Sequence, residues 1–197
     1  MKRIDPHLLL SIGVLIVSFA ALFVSIRQAT LLNRQTEILL QQMKSSAWPS
    51  LAVDMHFSMQ NDSVISAYCI LVGNDGLGPA IVDGVRVLVD GKPTSSWLEL
   101  IALLGPPEDL SATRSASSLY QKVLSSGEEM AFLDLGQNEG LMQFLYEAGD
   151  RIKIEICYRS IYGERWLVTR DILTAEGSSS ARQVEACEWQ DGDNFLD

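Results

Sequence analysis

Cysteine is scarce in this sequence: there are three in 197 residues, and no two of them form a Cys-x-x-Cys pair. So few cysteines in a chain of this length exclude a disulfide-stapled miniprotein and give no zinc-binding pattern. Histidine is rarer still, with two in the chain, and no motif for a nucleophile or an acid–base pair accompanies them. We therefore expect a non-catalytic protein with no metal ligands and no cofactor.

Basic residues are few in the larger part of the chain. Residues 48–197 contain ten Lys or Arg and twenty-three Asp or Glu, a net charge of −13, whereas residues 1–47 contain five and two, a net charge of +3. Because nucleic-acid affinity depends on basic residues that neutralise phosphates, this acidic part argues against a nucleic-acid partner. With 47% apolar and 20% charged residues, the chain is neither disordered nor collagen-like.

Charge is absent from residues 8–26, LLLSIGVLIVSFAALFVSI, which follow a short flank at residues 1–7. As a helix this stretch would extend over ~28 Å, about the hydrocarbon thickness of a bilayer. It predicts a transmembrane helix. A cleaved signal peptide is the alternative, because Lys2 and Arg3 precede an apolar run. Against cleavage, the apolar run continues past the small residues Ser18 and Ala20.

Positive charges flank the predicted span almost equally on both sides. Lys2 and Arg3 precede it, and Arg27 and Arg34 follow it. The positive-inside rule then slightly favours an orientation with the N-terminus in the cytoplasm and the acidic domain on the other side of the membrane. We expect a single-pass membrane protein whose first partner is the lipid bilayer.

Glycine and proline are absent from Arg27–Lys44, which is rich in helix formers and predicts a helical stalk over residues 27–47. Two pairs of apolar residues recur at a spacing of seven in this segment: Leu31 and Ile38, and Leu32 and Leu39. This spacing predicts a coiled coil that joins copies of the chain into a homo-oligomer. Packing of the stalk on its own domain is the alternative interpretation.

Short strands separated by turn residues dominate residues 48–174, and residues 175–197 are expected to form an acidic polar tail. The predicted strands are Leu51–Gln60, Val64–Val72, Ile81–Val89, Leu119–Leu124, Met130–Leu135, Ile152–Tyr158 and Arg165–Ile172. A helix is predicted at Glu139–Ala148, and for the short apolar stretch Trp97–Leu104 a helix is favoured over a strand. This pattern indicates a mainly β protein with an antiparallel, immunoglobulin-like β-sandwich, one or two inserted helices, and a long transmembrane-plus-stalk helix before it.

The most recognisable local motif is the Asn-x-Gly-x-Gly-Pro-Ala stretch that begins at Asn74. Gly76 and Gly78 are expected to take positive φ, and Pro79 fixes the φ of the segment that follows. We interpret the motif as a structural turn. An anion site is the alternative, but no Lys follows as in a P-loop and no helix start is apparent.

A disulfide between Cys69 and Cys157 is conceivable, since both lie on predicted strands that could face each other across the sandwich. Strict alternation nevertheless places Cys157 on the polar face of its strand with Lys153 and Glu155. Unpaired thiols are therefore the alternative.

Four segments together resemble a widespread group of uncharacterised bacterial membrane proteins with one N-terminal span, a glutamine-rich stalk and a β-sandwich. The matching segments are Arg27–Lys44, Trp48–Leu51, Asn74–Ala80 and Tyr158–Gly163. The resemblance implies a bacterial inner-membrane location and no assigned activity. In many such proteins basic residues crowd the stalk side, which would put the domain in the cytoplasm. This chain departs from that pattern, because it carries Lys2 and Arg3 before its span.

Three functions follow from these features, in order of preference. The first is a membrane-anchored, non-catalytic protein that presents the sandwich to a protein partner or assembles with itself. The second is a ligand-sensing effector in which the sandwich controls packing of the transmembrane helices. The third is a membrane-bound hydrolase.

Overall fold

A computed structural model of the protein describes residues 6–60, 64–107, 110, 114–172, 179–189 and 191–197. The chain divides between Ser45 and Ser46 into two compact units, an N-terminal helix and a β-sheet body. Each unit is described by itself below.

The first unit is one unbroken α-helix, α1, over Pro6–Ser46. At 1.5 Å per residue its 41 residues extend over about 61 Å, roughly twice the hydrocarbon thickness of a bilayer. Within the described residues it is the one helix long and apolar enough to cross a membrane, a property that a signal sequence shares. The predicted span and stalk therefore belong to the same helix.

The second unit contains, within the described residues, ten strands and two α-helices. The strands are β1 (Leu51–Gln60), β2 (Val64–Asn74), β3 (Ala80–Val89), β4 (Lys92–Thr94), β5 (Ser115–Ala116), β6 (Val123–Leu124), β7 (Glu129–Asp134), β8 (Ile152–Arg159), β9 (Arg165–Asp171) and β10 (Ser180–Val184). The helices are α2 (Trp97–Leu104) and α3 (Glu139–Glu147).

These strands form two antiparallel sheets that share one core. Sheet 1 has the order β1-β2-β7-β5, and sheet 2 has the order β10-β9-β8-β3-β4, with β6 also paired to β3. In immunoglobulin lettering these are the ABED and GFCC′ sheets, with β6 and β10 added. The predicted mainly β, immunoglobulin-like sandwich is confirmed.

Alternation along the strands selects the residues that fill the space between the sheets. Tyr68, Ile70 and Val72 of β2 are buried from sheet 1, and Ile154 and Ile156 of β8 are buried from sheet 2. Because successive side chains of a strand point to opposite faces, the residues between them lie on the outer faces of the sandwich.

One end of the core is closed by α2. The hydroxyl of Ser96 caps this helix, and Gly105 ends it in the left-handed conformation with φ 76°. Trp97 lies at the centre of an aromatic cluster, with ring centroids 5.2 Å from Phe132 and 5.0 Å from Phe195. Phe195 is 1% exposed, so the C-terminal end of the chain contributes to the core.

The expected polar tail is therefore wrong for much of residues 179–197. Strand β10 pairs with β9, Phe195 enters the core, and the carboxylate of Asp197 accepts hydrogen bonds from the backbone of Trp97 and from Arg114. Few apolar residues anchor this polar segment, which is why its composition indicated a tail.

A second difference concerns the predicted strand Leu119–Leu124, of which Val123–Leu124 is strand. Leu119 is buried, but Gln121 has a φ of 60°, which is the left-handed region and interrupts extended backbone.

Candidate functional site

The turn after β2 is organised around the side chain of Asn74, which is fully buried. Its Oδ1 accepts hydrogen bonds from the backbone amides of Ser50 and Gly76, both at 3.1 Å. Its Nδ2 donates to the carbonyl oxygens of Gly78 and Leu124, at 2.8 and 3.0 Å. Asn74 therefore ties three segments together, and its two donors and its acceptor are all engaged within the protein.

The two glycines of this turn are required because neighbouring backbone atoms approach them closely, not because they have a positive φ. A Cβ on Gly76 would lie 2.4 Å from the nitrogen of Ser50, and a Cβ on Gly78 would lie 2.2 Å from the oxygen of Ala47. Neither glycine has a positive φ, so that expectation is wrong. Pro79 comes directly before β3.

The segment that this turn holds is residues 47–50, which directly follows the end of α1. The amides of Leu77 and Gly78 donate to the carbonyl of Trp48 at 2.9 and 3.3 Å. The ring of Trp48 lies 6.5 Å from that of Trp166. Residues 47–50 are therefore hydrogen-bonded to the sandwich immediately after α1 ends.

The four predicted association residues of the stalk are exposed within the described structure. Leu31, Leu32, Ile38 and Leu39 are 58%, 61%, 54% and 57% exposed, respectively. Apolar side chains this exposed along a helix leave a surface that a partner could cover.

The predicted disulfide between Cys69 and Cys157 is wrong. Cys157 is bonded to Cys187, with 5.9 Å between the two Cα atoms, and Cys69 is a free thiol. Cys69 alternates with the core residues Tyr68 and Ile70, so it lies on the outer face of sheet 1. Cys157 lies on the outer face of sheet 2, where residue 187 reaches it.

Cys69 does lie in a lateral row of reactive residue types on the outer face of sheet 1. Its cross-strand neighbours are His56 on β1 and Asp134 on β7. Burial raises the pKa of the Cys69 thiol, and the nearby carboxylates of Asp134 and Glu129 raise it further. A raised pKa keeps the thiol protonated, whereas a nucleophilic cysteine needs the opposite shift. Neither Cys157 nor Asp54 joins this row.

The C-terminal segment, defined here as residues 185–197 without residue 190, contacts the outer face of sheet 2 through Cys187 and Trp189 before Phe195 enters the core. Val85 donates its amide to Oδ1 of Asn194 at 3.3 Å and accepts the amide of Phe195 at 2.7 Å. The guanidinium of Arg86 lies 4.8 Å from the ring centroid of Trp189. The segment is therefore held by backbone bonds, a ring contact and the disulfide.

A cleft of about 340 Å³ lies between this segment and sheet 2. Its lining residues are Asp83, Arg165, Ala186, Cys187, Trp189 and Asn194. Asp83 is the extra residue of a β-bulge, since Val82 pairs with Tyr158 and Gly84 pairs with Cys157. A bulge re-aims side chains, and this one presents the carboxylate of Asp83 at the outer face.

Two arginines converge on that carboxylate. Nε of Arg159 donates to Oδ1 of Asp83 at 2.8 Å, and Nε of Arg165 donates to Oδ2 at 3.2 Å. The side chains of Arg159 and Arg165 are 36% and 39% exposed. Two guanidinium groups and one carboxylate leave a net positive charge on the surface of an otherwise acidic domain. This arrangement can receive a carboxylate or phosphate group.

Within the described residues, no group of three or more His, Cys, Asp or Glu side chains is placed to hold a metal ion. No protein-family model matches the chain, and no curated protein is significantly similar to it. The geometry of the chain itself is therefore the basis for a functional proposal.

The sequence did not predict the cleft or the arginine pair. Arg159 and Arg165 pair across the β8–β9 hairpin beside its turn, but a bulge at Asp83 leaves no sequence signal. A usable signal existed at Cys157: its place on the polar face meant that its partner had to come from outside the core. Cys187 was the remaining cysteine that could reach that face.

Proposed function

We propose that this protein is a membrane-anchored, non-catalytic protein that presents a β-sandwich for interaction with a protein partner or with its own copies. The observation that carries the proposal is helix α1, in which an uncharged span continues without a break for about another twenty residues. Such a helix anchors the sandwich at a membrane.

The proposal places the sandwich on the non-cytoplasmic side of the membrane. The Cys157–Cys187 bond supports this side, because disulfides persist in oxidising compartments and are rare in the cytoplasm. Lys2 and Arg3 before the span support it as well. The bacterial inner membrane is the proposed location, by resemblance.

A thiol count on the full chain tests the proposed side. Cells are quenched in acid, and the denatured protein is alkylated with a mass-tagged maleimide before and after reduction. We expect one reactive thiol, Cys69, before reduction and three after it. Three thiols before reduction would contradict an oxidising location. Cys69→Ser is the control, and it should lower each count by one.

The cleft favours the ligand-sensing effector as a second candidate. Its test is a titration of the detergent-solubilised full chain with sodium acetate and with inorganic phosphate, followed by the NMR resonances of the arginine Nε–H groups. We expect the resonances of Arg159 and Arg165 to shift saturably with at least one anion. Arg182, which pairs with Glu188 on the surface, is the internal control. Equal, linear shifts of all arginines would contradict this candidate.

A further inference from the structure

Helix α1 carries a regular seam that runs through both the span and the stalk. From Ser11 onward, a set of residues recurs at alternating intervals of four and three positions. The seam comprises Ser11, Leu15, Ser18, Leu22, Ser25, Ala29, Leu32, Thr36, Leu39, Met43 and Ser46. From residue 11 to residue 46 the seam extends over five heptads, with Ser or Thr at five of its eleven positions. Because α1 is continuous over this range, the seam is one uninterrupted stripe, which drifts about 20° per heptad around a straight helix and stays in contact when two helices supercoil.

All charged residues of α1 avoid this face. In heptad lettering, the seam consists of the a and d positions. Position d holds Ser11, Ser18, Ser25, Leu32, Leu39 and Ser46, and position a holds Leu15, Leu22, Ala29, Thr36 and Met43. Arg27 and Arg34 then fall at f, while Glu37 and Lys44 fall at b. Positions b and f lie opposite the a and d seam on a helix. The uncharged arc covers positions c, g, d, a and e, and it is centred on d.

Inside the span, the residues at d are serines, whose side chains are small and whose hydroxyl groups can be satisfied within the helix. The hydroxyl of Ser18 donates to the carbonyl of Val14 at 2.8 Å, and that of Ser25 donates to Ala21 at 2.9 Å. A serine that bonds back to its own helix presents a small surface, so another helix backbone can approach closely.

Outside the span, the same seam presents large apolar side chains. Leu32, Leu39 and Met43 are 61%, 57% and 49% exposed. These residues lie beyond the length of helix that the hydrocarbon core can cover, so in a lone helix their apolar side chains would contact water. Association with a second helix removes this unfavourable exposure. Small side chains let two helices approach closely in lipid, and helix contact in water buries exposed apolar side chains.

The way that the chain inserts into a membrane indicates which partner packs on this seam. Two copies of one chain insert in the same direction and to the same depth, since the same flanking residues position both. Their heptads are therefore parallel and in register before they meet, and each seam residue faces its own counterpart. We infer that a second copy of this chain packs in parallel along the seam, from Ser11 to Ser46, as one contact through lipid and water. The inference rests on the proposed membrane anchoring.

Cysteine crosslinking in native membranes tests the seam directly. In a Cys69→Ser background, single cysteines replace two seam residues, Leu32 and Leu39, and two residues at f, Arg34 and Gln41. Mild oxidation should give disulfide-linked dimers from Leu32→Cys and Leu39→Cys at a yield several-fold above that from Arg34→Cys and Gln41→Cys. Equal yields, or higher yields at f, would overturn the inference.

A matched pair of bulky substitutions tests whether the span belongs to the same contact. In the Leu32→Cys protein, Ser18→Ile at d should lower the dimer yield by widening the helix separation, whereas Ala20→Ile at f should leave it unchanged. No difference between the two would overturn the part of the seam that lies in lipid. Alkaline extraction of the same membranes separates the claims. Release of the chain contradicts both the anchoring and the seam, whereas retention with equal crosslinking contradicts the seam alone.

Discussion

At the scale of single residues, the sandwich depends on a few polar side chains whose partners are backbone groups of distant segments. Asn74 is the clearest case, because its amide joins the strand start at Ser50, its own turn and the end of β6 at Leu124. A buried amide with all its hydrogen bonds made contributes to stability, but removal of the amide leaves several backbone groups unpaired.

Asn74→Ala should therefore lower the free energy of unfolding by about 3 kcal/mol or more, since each unsatisfied buried group costs about 1–3 kcal/mol. Denaturant unfolding of the full chain in detergent, followed by tryptophan fluorescence, measures this loss. Asn138→Ala is the matched control. It removes the cap of α3 and should cost about 1 kcal/mol. Equal losses in the two variants would show that Asn74 is an ordinary turn residue.

Glu155 on the outer face of sheet 2 makes the stability of the sandwich depend on pH. Burial alone raises the pKa of this carboxyl group, but hydrogen bonds from Arg86 and Lys153 outweigh burial and hold the pKa below its usual value of 4.5. A carboxyl group with a lowered pKa stabilises the folded state at pH values above its unfolded pKa. That contribution is lost as the pH falls through the folded pKa.

Glu155→Gln should lower the free energy of unfolding by about 2 kcal/mol at pH 7, since hydrogen bonds to charged groups are worth about 1.5–3 kcal/mol. The difference between the wild type and this variant should shrink as the pH falls below 4.5. Unfolding curves at a series of pH values measure it. The exposed Glu185 provides the control, because Glu185→Gln should change stability little at any pH. A difference for Glu155→Gln that stays constant with pH would contradict the role assigned to its charge.

At the scale of elements, strands with regular alternation could be predicted, and elements defined by long-range contacts could not. β1 and β8 were predicted to within a residue because one face of each is consistently apolar. β5 and β10 have two and five residues, and their pairing with neighbours, rather than their composition, makes them strands. The burial of Phe195 in the core could likewise not be predicted, because most residues around it in the sequence are polar.

The disulfide gives the C-terminal segment much of its stability in this account. It closes a loop with a sequence separation of 30, so its loss should cost about 3 kcal/mol. Cys187→Ser tests this in denaturant unfolding of the full chain. Cys69→Ser is the control and should change stability far less. Reducing agent should lower the stability of the control protein and leave that of Cys187→Ser unchanged. Sensitivity of Cys187→Ser to reducing agent would contradict the assignment of the bond.

At the scale of the whole molecule, a slightly basic helical segment and a strongly acidic sandwich are joined in one chain. Residues 1–47 have a net charge of +3 and residues 48–197 a net charge of −13. The long apolar helix was predictable because residues 8–26 are nineteen uncharged, mostly apolar residues, a length that as a helix matches the hydrocarbon thickness of a bilayer. The seam across α1 depends in addition on the helix being continuous, which heptads counted in the stalk alone did not reveal.

The central claim is that the apolar stretch of α1 stays in the membrane with the sandwich attached to it. Alkaline carbonate extraction of membranes from expressing cells, with the intact mass of the extracted protein, tests this most directly. We predict that the chain stays in the membrane pellet and that its mass includes residues 8–26. Release into the supernatant, or a mass that shows cleavage within or directly after residues 8–26, would contradict the account.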